Sequence, residues 1–165
     1  MGSGRWSTNV YDEHARYRAA TGKSAFDYSD RMMNSNSSDW RVHPTLDPHG
    51  VRARESCDSD EHPESTSTVV LVDVTGSMGQ VPVTLQKKLP DLLGLLLRKG
   101  YVADPQILFG GVGDATCDRV PLQVGQFESD NRMDENLENI FLEGGGGGQR
   151  TESYELAMYF VARHT

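Results

Sequence analysis

Residues 69–79 read VVLVDVTGSMG, an uncharged apolar run that leads directly into a turn of small and oxygen-bearing residues. An apolar run without polar alternation is typical of a strand covered on both faces of a parallel sheet. We therefore expect the strand Thr68–Val74 to be central in its sheet. Asp73, Thr75 and Ser77 stand at alternate positions where this strand ends. The segment thus predicts a buried strand whose carboxyl end presents one carboxylate and two hydroxyls.

These three side chains suit a hard metal ion. Mg²⁺ takes octahedral oxygen ligands at about 2.0–2.1 Å and keeps some of its waters. Gly76 and Gly79 allow the backbone to fold around such an ion. The alternative is a simple turn in which Asp73 and Ser77 cap a following helix. The pattern favours the metal site, and the helix-cap interpretation stays open as the alternative.

The pattern Asp73-x-Thr75-x-Ser77 resembles the metal-ion-dependent adhesion site of the von Willebrand factor A (vWA) family. In that family, Asp-x-Ser-x-Ser stands at the end of the first, central strand, and Thr in place of the first Ser keeps the oxygen ligand. A loop before a later helix supplies a further metal-site Thr, and Thr151 stands in the matching place here. The resemblance implies an Mg²⁺ or Mn²⁺ cofactor held by these four residues.

Five consecutive glycines, at positions 144–148, precede Thr151. Such a run loses much conformational entropy on folding, so we interpret it as a loop whose backbone approaches a ligand closely, through Gly147 and Gly148. Thr151 is also a candidate N-cap of the last helix, and the two roles are compatible. Glu152 suits the positive end of that helix and is close enough in sequence to join the site as an outer, water-mediated contact.

From residue 67 onward, strand and helix patterns alternate, which is typical of an α/β domain. After the first strand we predict a helix Val83–Leu97 with a stripe of leucines, a strand within Pro105–Gly113, a strand Val120–Phe127, a helix Arg132–Leu142, and a helix from Glu152 onward. Pro90 should kink or divide the first of these helices, and Gly100 should end it. The alternation in Val120–Phe127 predicts an antiparallel edge strand with one wet face.

Asp114 follows the second strand. Ligands of open α/β sheets gather at the carboxyl ends of the strands, so we expect this acid beside the Asp73 turn, in a water-mediated role. A simple turn aspartate is the alternative. The resemblance implies a Rossmann-like vWA fold with a central parallel sheet and one antiparallel edge strand, over residues 67–165. It also implies that the chain stops before the fourth strand of the family's sheet. Either the chain is truncated or another chain supplies the missing strands. The metal-site Asp of the fourth strand would then be absent, so we expect weaker metal binding than in a whole domain.

Residues 1–66 form a polar arm that ends in an acidic linker and has few aliphatic residues. The segment Asn9–Ala20 favours a helix. Aromatic residues in such an arm suit packing on another surface, either that of a partner or that of the arm's own domain, and both alternatives stay open. They are Trp6, Tyr11, Tyr17, Phe26, Tyr28 and Trp40.

The composition narrows the class of partner. The chain has 165 residues, with 16 Lys and Arg against 24 Asp and Glu, and no basic block. This balance disfavours nucleic acid or an anionic membrane as partner. No apolar run is long enough to span a bilayer and no secretory signal is recognisable, so we expect a cytoplasmic protein. Two cysteines are too few for a disulfide framework, and we expect reduced thiols.

The leading hypothesis is therefore a non-catalytic, metal-dependent protein-binding module of an intracellular assembly. The resemblance implies a partner that offers an acidic side chain to the metal, with ATPases of the AAA+ class as a candidate. A structural assembly protein that acts through the aromatic arm, with no working metal site, is the alternative. A Mg²⁺-dependent phosphatase-like hydrolase has less support, because Thr75 stands where such enzymes carry an acid–base Asp.

Overall fold

The computed structural model describes residues 4–144 and 153–165. In chain order the described elements are α1 (Thr8–Thr21), α2 (Asp27–Met33), β1 (Thr66–Asp73), α3 (Val81–Lys99), β2 (Pro105–Val112), β3 (Leu122–Val124), α4 (Arg132–Glu138) and α5 (Tyr154–His164). The fold is therefore mixed α/β, as expected. Within the described ranges, none of these helices combines the length and apolarity needed to cross a membrane.

The three strands form one sheet in the order β1-β2-β3. β1 runs parallel to β2, from Thr66 opposite Pro105 to Asp73 opposite Val112. β3 runs antiparallel to β2. A parallel pair needs a crossover connection, and α3 lies in the connection between β1 and β2. The predicted parallel pair and its antiparallel neighbour are thus confirmed.

Apolar clusters cover both faces of the sheet. On one face, Val72 of β1 and Phe109 of β2 pack with residues of α3 and α4, among them Leu89 and Leu137. On the other face, strand residues such as Leu108 pack with Ala157 and Phe160 of α5. Because successive strand residues point to opposite faces, the strands contribute to both clusters. The sheet is therefore a middle layer, with α3 and α4 on one face and α5 on the other.

The prediction that the first strand is central is wrong for the described sheet, although its apolar residues do pack with the clusters on both faces. β2 is the middle strand, and all of its residues are buried. β1 lies at an edge, and most of its residues are only half-buried or exposed. The reason is that β2 has neighbours on both sides as well as a cluster on each face. Gln106, Gly110 and Gly111 interrupt the apolar pattern of β2 and concealed this in the sequence.

The predicted wet face of the strand Val120–Phe127 is also wrong. β3 covers only Leu122–Val124, and all three of its residues are buried. Gln123 is fully buried, because its amide donates to the Phe141 carbonyl at 2.8 Å and accepts the Phe141 N–H at 2.7 Å. These hydrogen bonds offset the cost of removing the amide from water, so alternation did not indicate exposure here.

The helix boundaries differ from the expected ones in three places. α3 is one helix through Pro90, not two, and ends before Gly100, whose φ of 61° is the left-handed conformation expected there. α4 ends at Glu138, short of the predicted Leu142. α5 begins at Tyr154. Helix ends are the least certain feature of a periodic pattern, since periodicity specifies a face but not a stop.

The N-terminal arm packs on the rest of the same chain. Its helix α1 forms as expected over Asn9–Ala20, extended slightly at both ends. Phe26 and Leu46 belong to the same apolar cluster as the sheet residues. Tyr28 packs with Phe141, and the buried Tyr11 hydroxyl donates to the backbone carbonyl of Gln86 at 2.9 Å. Of the two alternatives for the arm, the structure supports the one in which its aromatic residues cover their own domain. Both cysteines are free, as expected.

Candidate metal centre

The first turn of the candidate site is an extension of β1. Beyond Asp73, the Val74 N–H still donates to the Val112 carbonyl of β2, at 3.0 Å. The chain then forms a short 3-10 helix, Gly76–Met78, for which Thr75 is the N-terminal flanking residue. Gly79 closes the turn with a φ of 47°, a region that residues with a Cβ rarely adopt. The sheet therefore positions the turn directly.

The three predicted ligands meet within this turn. The Asp73 carboxylate accepts two hydrogen bonds at Oδ1, from the Thr75 N–H at 2.8 Å and from the Thr75 hydroxyl at 2.6 Å. The Thr75 and Ser77 hydroxyl oxygens are 3.1 Å apart. Thr75 is buried, whereas Ser77 is exposed. The structure thus brings one carboxylate and two hydroxyls together, with the outermost hydroxyl open to solvent.

One distance in this turn matches the spacing of neighbouring ligands on a divalent cation. Adjacent ligands of an octahedral ion at about 2.1 Å lie about 3.0 Å from each other, close to the separation of the two hydroxyl oxygens. The Thr75 hydroxyl donates its hydrogen to Asp73, so its oxygen can act toward a further group only as an acceptor or a ligand. In residues 4–144 and 153–165 there is no group of three or more His, Cys, Asp or Glu side chains able to hold a metal. A site at this turn would depend on hydroxyl ligands.

A second turn of the same construction follows β2. Asp114 is 3% exposed, and its Oδ1 accepts from the Thr116 N–H at 2.8 Å and from the Thr116 hydroxyl at 2.6 Å. These are the contacts that Asp73 makes with Thr75. Two Asp-x-Thr turns therefore stand at the carboxyl ends of two neighbouring parallel strands. Asp114 was predicted at this edge from the sequence, whereas Thr116 was not, although the Asp-x-Thr spacing is repeated there.

The start of α5 is hydrogen-bonded to both turns. The buried Ser153 donates its N–H to the Gly113 carbonyl at 3.0 Å and accepts the Ala115 N–H at its hydroxyl, at 2.9 Å. The next residue, Tyr154, donates its phenol to Asp73 Oδ2 at 3.2 Å. Neither residue was predicted as part of the site. Their only signal in the sequence was that they directly follow Thr151 and Glu152.

Four predicted site residues lie outside the described ranges. They are Gly147, Gly148, Thr151 and Glu152. Gly144, the first residue of the glycine run, is described and has a φ of 65°. The described part of the candidate site therefore consists of the two Asp-x-Thr turns, Ser77, and the first residues of α5.

Comparisons with known proteins found no match for this chain among protein-family models, curated proteins or solved structures. The likeness to the vWA family consequently rests on the residues of the first turn, on their place at the end of a parallel strand and on the order of the strands and helices.

Proposed function

We propose that this chain is a vWA-like protein-binding module, in which Asp73, Thr75 and Ser77 hold Mg²⁺ or Mn²⁺. The observation that carries this proposal is the meeting of their oxygens at the carboxyl end of β1, with the two hydroxyls 3.1 Å apart. The order β1-α3-β2-β3, with a parallel pair and an antiparallel neighbour, supports a Rossmann-like vWA arrangement. Thr151 belongs to the proposed ligand set through the resemblance alone.

Each residue of the turn has a separate task in this proposal. Thr75 is held by its bond to Asp73 and presents a fixed hydroxyl oxygen. Ser77 supplies the exposed ligand, next to which solvent or a partner has access. Asp114, on the neighbouring turn, is the proposed outer, water-mediated carboxylate. When bound, the divalent ion supplies the positive charge that attracts an acidic side chain of a partner protein.

Binding without catalysis is part of the proposal. A phosphatase-like mechanism requires an acid–base group two residues after the nucleophilic Asp, and a threonine hydroxyl does not act as a general acid at neutral pH. An assembly protein that uses the aromatic arm has less support. Trp6 donates its indole N–H to Asp134 at 2.9 Å, and Phe26 and Tyr28 are buried against their own domain. An AAA+ partner rests on the resemblance alone, and a cytoplasmic location stays a prediction from the sequence.

The metal site is tested by calorimetric titration of Mg²⁺ and Mn²⁺. We expect the wild-type chain to bind, Asp73→Ala to abolish binding, and Ser77→Ala to weaken it. Asp60→Ala, at an exposed acid, is the matched control and should bind as the wild type does. Equal binding by Asp73→Ala and the wild type would refute the assignment. So would the absence of binding in a wild-type chain that circular dichroism shows to be folded.

The open coordination position has its own test. Water-proton relaxation of the Mn²⁺-loaded chain reports the waters that remain on the ion. A hexaglutamate peptide should lower the relaxation enhancement by displacing water, whereas hexaglutamine should not. Equal effects of the two peptides would contradict the proposed recognition of an acidic side chain, and would leave the metal site itself intact.

A further inference from the structure

A cavity of about 480 Å³ lies between α5, the segment that enters β3, and the part of the arm around Trp40. Its lining includes the buried apolar side chains Val120, Leu122 and Phe160, which are 4%, 6% and 5% exposed. The volume falls within the range of about 300–1,000 Å³ that is usual for small-molecule sites. The cavity does not include any residue of the metal turn, so it is a separate candidate site.

The mouth of this cavity carries positive charge from two arginine side chains. Arg41 and Arg119 are exposed lining residues, and neither forms an ion pair with an acid among the described residues. The acid in the lining, Asp47, accepts the His49 N–H at 2.9 Å and contacts the His49 ring at 2.7 Å. Two such guanidinium groups at one opening are unexpected in a chain of net charge -8.

The Glu143 carboxylate approaches the same segment, but it is occupied by the backbone. It accepts the N–H groups of Arg119 and Val120, at 3.0 Å each. These bonds fix the course of the chain into β3. They involve the Arg119 backbone and not its guanidinium group.

An aromatic side chain also borders the cavity. Trp40 lines it, and the indole Nε1 of Trp40 is buried without a hydrogen-bond partner in the part of the chain that the structure describes. The indole ring is held edge-on against Phe141, with ring centroids 5.6 Å apart. An indole N–H can only donate, and leaving it buried and unpaired is unfavourable. The cavity thus combines an apolar floor with two exposed arginine side chains.

We propose that this cavity binds a small amphiphilic carboxylate. Its apolar body would lie on the floor formed by Val120, Leu122 and Phe160, and its carboxylate would meet Arg41 and Arg119. A carboxylate is the favoured head group because its two oxygens match the planar fork of a guanidinium. A cationic or uncharged amphiphile of equal length would not form an ion pair with either guanidinium group.

The test is calorimetric titration with octanoate, 1-octanol and octylammonium. We expect octanoate to bind, 1-octanol to bind about tenfold more weakly, and octylammonium not to bind. Arg119→Gln should weaken octanoate binding about tenfold and leave octanol binding unchanged. Arg16→Gln, at an exposed arginine of α1 outside the cavity, is the matched control and should have no effect.

The proposal is overturned if octanol binds as tightly as octanoate, if Arg119→Gln binds octanoate as the wild type does, or if the folded wild-type chain binds none of the three probes.

Discussion

The Tyr154 phenol donates a hydrogen bond to Asp73 Oδ2 at 3.2 Å, between residues that are 81 positions apart in the chain. The other oxygen of the same carboxylate is held by two bonds from Thr75. The first residue of α5 therefore contacts the candidate metal ligand at the end of β1. Tyr154 is 45% exposed, so solvent also reaches this contact. A movement of α5 would therefore change the hydrogen bonding of the Asp73 carboxylate.

Tyr154→Phe should tighten Mg²⁺ binding about two- to threefold. The phenol partly neutralises Asp73 by donating to it, while Thr75 alone suffices to hold the orientation of the carboxylate. Calorimetric titration measures the change. Tyr159→Phe, at an exposed tyrosine of the same helix, is the matched control. Weaker binding by Tyr154→Phe would mean that the phenol positions the carboxylate for the ion.

Thr75→Val should lower the free energy of unfolding by about 1.5–3 kcal/mol, because the shape is kept but the hydroxyl that donates to a carboxylate is lost. Urea unfolding in the absence of divalent ions measures this loss. The same variant should lose Mg²⁺ binding. Thr75→Ser keeps the hydroxyl and should retain both properties in large part. Similar behaviour of the valine and serine variants would contradict the role given to this oxygen.

Asp134 should make stability depend on pH. Burial raises the pKa of the Asp134 carboxyl above its usual range, and hydrogen bonds from Trp6 and Asn131 offset this only in part. The folded state therefore holds the proton more tightly than the unfolded state. As pH rises above about 3.8 and through the raised pKa, this group's contribution to the free energy of unfolding falls.

Asp134→Asn removes this titration. Urea unfolding at a series of pH values from 4 to 7 should show the variant gaining stability relative to the wild type as pH rises. Asp60→Asn, at an exposed acid, should follow the wild type throughout. A constant difference between the wild type and Asp134→Asn across the series would refute the raised pKa as the cause.

Phe26→Ala should lower the free energy of unfolding by about 3–5 kcal/mol, because Phe26 is 3% exposed and packs in the cluster that covers one face of the sheet. Tyr17→Ala should change it by less than about 0.5 kcal/mol, since Tyr17 is 58% exposed. Equilibrium urea unfolding measures both. If Phe26→Ala were as mild as Tyr17→Ala, the arm would contribute little to the core.

Sequence patterns predicted the strands and helices that depend only on residues close together in the chain. The apolar run before Asp73 specified β1, and the leucine stripe specified a helix whose Leu89 is fully buried. The glycine at position 100 marked the end of that helix. Each of these features depends on residues within a few turns of helix or one strand length, which a sequence pattern contains.

The middle place of β2 was not predictable in this way. Gln106 is buried because its amide donates to the Cys57 carbonyl at 2.8 Å and accepts from the Ser56 hydroxyl at 2.9 Å. Gly110 is needed because a Cβ there would lie 2.8 Å from the Gln123 carbonyl oxygen. A polar residue and a glycine read as weak strand signals, yet here each serves close packing between segments that are distant in the chain.

The sequence by itself determined that three oxygen-bearing side chains meet in the turn after β1. Asp73, Thr75 and Ser77 lie within five consecutive residues at one strand end, so a short turn suffices to bring them together. Only the tertiary structure decided that Asp114, Ser153 and Tyr154 join this edge of the sheet. Their approach depends on the parallel pairing of β1 with β2 and on the packing of α5 against that sheet. Such contacts join residues far apart in the chain, and their free energy comes from burial of whole elements, which no local pattern encodes.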